Sequence, residues 1–482
     1  MIPIQKFCYK IGSYWKQILF FLLLTVILVF PACAPAGGED LPPESEAGVL
    51  TYAALDPLDG TQRRRILTFN SRHKDAQIEV LDYSDEGGID RLMTELSLGK
   101  VPDIMELHRL GSGEDLTACH FIGDRKAIEG EYWMPYRQLA RKGYLEDLWP
   151  YIENDPRLGR EGVVEAPLKA AEVDGGLYML FRNVYINTLV GRESVVGKRD
   201  GWTLEELMDA FAAMPDGSTI LRYNATRREM YSSLFCTTLD RYIDWETGEC
   251  SFDNDEFRSM LEFLATFPAE FKTSLTENEL KEELFWRRVE GEQMLEAVII
   301  YWLKNIPRRN TAFGGKPVAY VGYPTTDGSS GSFFHINGTV LAMASTCRNK
   351  EAAWAFMSYL TQPGYSVTDM ATLHWGIEIM IPINRKSYEN GNAADLSWPK
   401  ELISPTGTFP GGPEFQTDPP TEEDLQLFER LVNNTKQIYW PDDALSETVW
   451  EAIGPYFAGD KTLDETIQLV QNRVKLYVNE NR

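Results

Sequence analysis

Cysteine and histidine are scarce in this chain, at six and five of 482 residues. No Cys-x-x-Cys pair occurs, which removes zinc-ribbon and thioredoxin-like sites. Walker, Gly-x-Gly-x-x-Gly, Gly-x-Ser-x-Gly and His-Glu-x-x-His motifs are also absent, so the sequence offers no known catalytic signature. Basic residues are too few for a nucleic-acid binder. Lys and Arg number 47 against 72 Asp and Glu, a net charge of −25, and a polyanion partner needs a basic footprint. The same deficit argues against electrostatic attachment to anionic lipid. Beyond the N-terminus no apolar run approaches the roughly 20 residues that a spanning helix requires.

What is present is enough apolar matter for a large core. Hydrophobic residues make up 43% and aromatics 12%, which excludes a disordered chain. At about 150 residues per domain, the length predicts two or three domains.

The N-terminus reads as an export signal. Lys6, Lys10 and Lys16 precede the uncharged run Ile18 to Phe30, which Pro31 stops. Ala32-Cys33 follows, with Ala34, Pro35, Ala36, Gly37 and Gly38 behind it. A small residue before a cysteine just past such a run resembles the bacterial lipobox, which implies that Cys33 carries a diacylglycerol and that residues 1–32 are cut away. A plain signal peptide or an uncleaved anchor is the alternative. Cleavage would remove three lysines and no acid, hardening the net charge from −25 to −28. Residues 33–48, rich in Gly, Pro and acids, read as a flexible tether. Of the other cysteines, Cys236 and Cys250 flank an expected hairpin and are placed to bridge. Four buried thiols (these two with Cys119 and Cys347) are the simpler reading for a chain this long.

Past the tether, strand and helix alternate. Val49 to Tyr52, Ile78 to Tyr83 and Val101 to Leu107 read as strands, separated by helices around Arg63 to Arg65 and Ile89 to Leu98. Short connections of this kind predict an α/β fold built on parallel sheets. In such sheets, ligands sit beyond the carboxyl ends of the strands. Further along, Thr203 with Glu206 forms a capping box, Asp253 is expected to cap a helix through Leu264, and the apolar stretch Leu295 to Leu303 is read as a helix ending in Tyr301-Trp302. Val318 to Tyr323 and Val340 to Ala344 read as strands. Lys350 to Leu360, Ala444 to Phe457 and Leu463 to Val478 read as helices.

An ordered set of short motifs then carries a resemblance. Val101-Pro102-Asp103-Ile104 is followed by Gly143-Tyr-Leu-Glu-Asp-Leu, Asp174-Gly-Gly-Leu-Tyr and Trp202-Thr-Leu-Glu-Glu-Leu. Then come Gly322-Tyr323-Pro324-Thr325, Lys350-Glu-Ala-Ala-Trp, Ile381-Pro-Ile-Asn384 and Phe457-Ala-Gly-Asp-Lys. From about Val49 to Tyr477 the chain resembles the extracellular family 1 solute-binding proteins of ABC importers, the maltose-binding-protein-like group. The resemblance implies a two-lobed periplasmic-binding-protein-like fold (type II) with a cleft between lobes, each a mainly parallel sheet flanked by helices. It implies lobes at 49–155 plus 312–372 and at 156–311 plus 373–482. It implies a monomeric, lipid-anchored receptor on the outer face of the cytoplasmic membrane, which captures a carbohydrate by hinge closure and delivers it to permease subunits. No enzyme activity, cofactor or metal is expected. The segment Phe181 to Val190 departs from the family in lacking Tyr-Asn-Lys, and residues 108–140 are longer than its norm, so the resemblance names no particular sugar.

A sugar needs aromatic platforms for its C–H faces and polar side chains for its hydroxyls. On family position the platforms are expected at Trp302, Tyr323 and Trp375, and the polar partners at Glu106 and Arg182. Asp103 reads better as a strand-end cap. His108 and His335 sit in contexts that suit a ligand but more often bond locally. Trp149, Trp202, Trp354 and Trp450 lie inside helix patterns and read as structural. Two rivals remain: the same fold holding a polyamine or peptide, for which the acid excess speaks, and a secreted glycoside hydrolase using two of the many carboxylates. A calcium loop at Asp253-Asn254-Asp255 lacks the twelve-residue spacing.

Overall fold

The computed structural model describes residues 48–109, 132–221, 226–234, 239–270, 274–361, 380–398, 400, 406–407, 412–415 and 417–481. The strands in chain order are β1 (Val49–Ala54), β2 (Gln77–Asp82), β3 (Ile104–Glu106), β4 (His108–Arg109), β5 (Tyr132–Trp133), β6 (Asn183–Arg192), β7 (Leu295–Ile300), β8 (Val318–Tyr320), β9 (Phe333–Asn337), β10 (Leu341–Met343), β11 (Ile381–Pro382), β12 (Thr406–Gly407), β13 (Glu414–Phe415) and β14 (Gln437–Ile438).

The first sheet has the order β10-β3-β1-β2. Its three N-terminal strands are parallel, as the alternation of strand and helix predicts, and β10 joins antiparallel to β3. Helices Gly60–Arg72 and Gly88–Ser97 supply the crossovers. The second sheet is built around the ten-residue β6, with β11 and β9 as neighbours, β14 beyond β9, and β7 and β8 also paired to β6. Here the expected parallel arrangement fails. Every partner of β6 is antiparallel, and β14 with β9 is the parallel pair. The apolar stretch at 295 is β7, not a helix. It is short, ends in the β-branched Val298-Ile299-Ile300, and pairs with β6 from Ile186↔Ile300 to Gly191↔Leu295; a short apolar run has no periodicity that separates strand from helix.

Two hydrophobic clusters follow from this layout. One gathers Tyr52, Ala53, Ile104, Leu341 and Ala342 of the first sheet with Val184, Ile186 and Val190 of β6. The other holds Leu189 of β6 and faces from four helices, through Leu204, Phe257, Val449 and Val470. Alternate residues of one strand thus serve opposite cores, as the two-residue period of a strand requires. The helix ends carry the chemistry the sequence announces. Thr203 and Glu206 form the capping box of Leu204–Ala212, and Thr276 with Glu279 and Thr421 with Asp424 form two more. At Asp255–Ala265 the cap is Asn254, whose side chain accepts from the N–H of Phe257; Asp253 instead pairs with Arg258 at 2.7 Å.

The chain passes between the two sheets at 180–183, again at 337–341, and a third time between β10 and β11; the first two passes lie together. These passes touch each other: Leu180 and Leu341 exchange both backbone hydrogen bonds, at 2.8 and 2.9 Å, and Asn183 opposes Asn337. β8 and β9 therefore belong to the second sheet, although they lie in the 312–372 stretch expected of the first lobe. The crossing falls after Asn337 because β9 finds its pairing partner in β6. Among the described residues no helix is long and apolar enough to cross a membrane. Cys250 and Cys347 are buried free thiols, and Cys33, Cys119 and Cys236 lie outside the described residues.

Candidate functional site

Glu106 ends β3, at the carboxyl edge of the first sheet. It is not a solvated loop acid, being 2% exposed. Its Oε1 accepts from the Tyr52 hydroxyl, and its Oε2 accepts from the N–H groups of Leu55 (2.6 Å) and Asp56 (3.3 Å). Burial pushes its pKa up to about 7, against the pull of these donors. Its donors all come from β1 and the turn after it, so Glu106 holds that turn in place. Asp103 caps the strand as expected: its Oδ2 accepts from both the N–H and the hydroxyl of Thr51, at 2.9 and 2.8 Å.

Two residues past Glu106, β4 pairs with β5, so that His108 opposes Trp133. Their rings stack at 3.7 Å. Trp440, just past β14, meets Trp133 edge-on at 4.8 Å and donates its indole N–H to the Met134 carbonyl at 2.8 Å. This clasp ties the β4–β5 ribbon to the far strand of the second sheet.

Beside the clasp, the second sheet carries a row of rings. Tyr185 of β6 and His335 of β9 are direct cross-strand partners. They stack at 4.7 Å with planes 9° apart. Tyr439 extends β14, its N–H bonded to the Phe334 carbonyl at 2.7 Å, and stacks on the other side of His335 at 5.1 Å. Tyr301 follows β7 and meets Tyr185 at 5.3 Å. Four neighbouring strands thus contribute one ring each. Trp133 closes on the row edge-on, 6.0 Å from both His335 and Tyr439. Tyr185, Tyr301, His335 and Trp133 are all partly exposed. His335 Nδ1 lies 2.9 Å from the Ile336 carbonyl; a carbonyl only accepts, so Nδ1 carries a proton. Because the middle rings face each other, the row presents polar edges, phenol and imidazole, while Trp133 supplies an indole across it.

The expected site residues scatter around this row. Trp302 is half-buried next to Tyr301, with its indole N–H enclosed and unpartnered among the described residues. The Lys304 ammonium sits over its ring at 4.3 Å. Tyr323 is 3% exposed and tilts onto Phe333 at 5.4 Å. It is packed into the second core because β8 runs antiparallel and turns inward. Arg182 lies in the 180–183 crossing, its carbonyl accepting from the N–H of Ile383 at 3.0 Å, three residues before Tyr185 on the chain. Trp375 lies outside the described residues. Trp202 is fully buried and donates to the Gly322 carbonyl at 3.0 Å. Trp149 and Trp354 are likewise buried, bonded to Glu172 and Asp155. Among the described residues no group of three or more His, Cys, Asp or Glu is placed to hold a metal. Sequence reasoning passed over Tyr185 and Tyr439. The signal for the first was the alternation Val184-Tyr185-Ile186-Asn187, which marks a strand with one polar face.

Two sheets with flanking helices, linked by paired crossings and bordered by an aromatic row, define a periplasmic-binding-protein-like fold. Two solved structures share it. One is a periplasmic oligogalacturonide binding protein from Yersinia enterocolitica (TM-score 0.52, 14% identity, covering 90% of this chain and 100% of that one). The other is the sugar-binding protein MalE from Xanthomonas citri (TM-score 0.51, 14% identity, covering 89% and 97%). No curated protein matches the sequence. Residues 132–398 match the family described as bacterial extracellular solute-binding protein, and the chain belongs to that family.

Proposed function

We propose that this protein is the carbohydrate receptor of an ABC importer, tethered outside the cytoplasmic membrane by lipid on Cys33. It binds sugar at the ring row of Tyr301, Tyr185, His335 and Tyr439, with Trp133 closing from the β4–β5 ribbon. The row is the observation that carries the reading. It combines apolar ring surface with phenol and imidazole edges, the mixture that suits a molecule with C–H faces and a belt of hydroxyls. It also lies where the two sheets meet, so a bound sugar would touch both. A ligand that contacts both bodies stabilises the closed arrangement by its differential affinity for it, which is how hinge closure is driven. The release of solute to permease subunits, the monomeric state and the absence of catalysis go with this reading. The location of the site departs from the residues expected by family position: Tyr323 and Glu106 serve packing and support, Tyr185 and His335 take their place, and Tyr439, buried in the second core, backs His335.

A thermal-shift panel of mono- and oligosaccharides tests it. A ligand at 100 times its dissociation constant stabilises the folded state by about 2.7 kcal/mol. A shift with at least one saccharide is expected. Shifts with polyamines or peptides and none with any saccharide would overturn the reading. The anchor has its own test. Labelled palmitate should enter the wild-type chain in bacterial cells, and Cys33→Ala should leave the protein unlabelled and in the medium or periplasm; labelling of the variant would rule the anchor out.

A further inference from the structure

Helix Gly60–Arg72 packs on the first sheet through Ile66 and Phe69, both in the core. Its other side is basic. Arg63, Arg64, Leu67 and Ser71 are exposed there and fall within a sector of about 100°. Arg72 and Lys74, also exposed, carry the charge past the helix end. From Gly60 to Lys74 there are five Lys and Arg and no acid, in a chain whose net charge is −25. Asp59 and Asp75 flank the helix at its two ends, so the stretch with both still carries +3. Exposed cations elsewhere, such as Arg160 and Lys169, pair with Glu153 and Glu165. Arg64, Arg72 and Lys74 form no ion pair among the described residues. Leu67, 69% exposed, stands in the middle of the face.

This face lies beside the point where the described chain begins. The Gly48 carbonyl accepts the N–H of Gln77, and a Cβ on Gly48 would come within 2.9 Å of the Asp75 carbonyl oxygen. Lys74 is thus next to the chain's entry, and Gly48 is fifteen residues on from Cys33. Fifteen residues of coil span about 20 Å. A lipid on Cys33 would hold the basic face near the headgroups at an effective concentration on the order of millimolar. Charges are screened over about 8–10 Å in physiological salt. Headgroups under the helix therefore meet its cations rather than the acids on the rest of the molecule. An apolar side chain amid basic ones also suits the boundary between headgroups and acyl chains.

We propose that this face docks the tethered receptor on an anionic bilayer, with phospholipid phosphates against Arg63, Arg64, Arg72 and Lys74 and with Leu67 at the boundary. The inference rests on the lipid at Cys33. The overall acid excess keeps the contact weak and reversible, so it forms only when the anchor supplies the concentration. Docking then sets which side of the first sheet faces the membrane.

The processed full chain, purified from bacterial membranes, is reconstituted on vesicles of phosphatidylcholine alone or mixed with phosphatidylglycerol in equal parts. Lysine acetylation by an N-hydroxysuccinimide ester is followed by mass spectrometry, with the exposed Lys386 of helix Arg385–Leu396 as internal reference. Lys74 should react about threefold more slowly on the anionic vesicles, as expected of a face covered about two-thirds of the time. Lys386 should react equally on both. Sodium chloride at about 1 M, where the screening length falls to about 3 Å, should restore the Lys74 rate. The pair Arg64→Glu and Arg72→Glu, which leaves the Lys74 reporter in place, should abolish the difference. Equal Lys74 rates on the two vesicles overturn the docking while leaving the anchor in place, and so does a slowing that survives both salt and the double reversal. Slowing in native membranes alone would assign the face to a protein and overturn the lipid. A chain that fails to float with neutral vesicles overturns the anchor and the docking together.

Discussion

Glu106 shows what a single buried carboxyl does to this protein. It is enclosed, and its two oxygens accept three donors from β1 and the turn beyond. Burial dominates and raises its pKa to about 7, with the nearby Asp56 charge adding to the rise. The folded state thus holds a proton more tightly than the unfolded chain does. Its contribution to stability is fully present below the ordinary carboxylate range and is lost as pH rises through about 7. The difference is on the order of 3 kcal/mol. Denaturant midpoints measured from pH 5 to pH 8 should fall for the wild type and fall less for Glu106→Gln, which cannot ionise; parallel pH profiles would show that Glu106 does not titrate in this window. Asp155 moves the other way. Burial pushes its carboxyl up, yet the Arg157 guanidinium at 2.8 Å and the Trp354 indole N–H hold it down to about 2. Its stabilisation is present at neutral pH and lost as pH falls toward 2.

Among elements, β6 matters most. It is the hub of the second sheet and feeds alternate residues to two cores, and its odd-numbered face brings Tyr185 opposite His335. Ring pairs of this kind are worth about 0.5–1.5 kcal/mol beyond burial, so Tyr185→Ala should cost about 1 kcal/mol of stability. If the row is the sugar platform, the same change should weaken saccharide binding about tenfold or more. Calorimetry on a saccharide found by the panel reads the second effect, and an affinity equal to wild type would take Tyr185 out of the site. The elements were legible to different degrees. Helices with capping boxes, such as Leu204–Ala212, and amphipathic runs, such as Lys350–Thr361, stand where the sequence puts them, because caps and 3.6-residue periodicity are local. Leu295–Ile300 was misread because six apolar residues satisfy strand and buried helix equally. β11 and β14, two residues each, carry no pattern to read.

At the scale of the whole molecule, two of the crossings between the sheets, at 180–183 and 337–341, lie side by side, joined at Leu180 and Leu341. A pair of short adjacent segments is the usual construction of a hinge. Small-angle scattering on the full chain should show a smaller radius of gyration when a saccharide found by the panel saturates it; an unchanged radius would mean that capture proceeds without closure. The acid excess, a net charge of −25, gives no help with an anionic membrane surface.

The sequence by itself determined the α/β character, the parallel first sheet and the family, because each is written in local periodicity or short ordered motifs. The tertiary structure alone brought the ring row together. Tyr185, Tyr301, His335 and Tyr439 stand far apart on the chain and become neighbours through strand pairing. Which strand pairs with which is set by the burial of whole faces against two cores. No local pattern around any one of these residues records that choice.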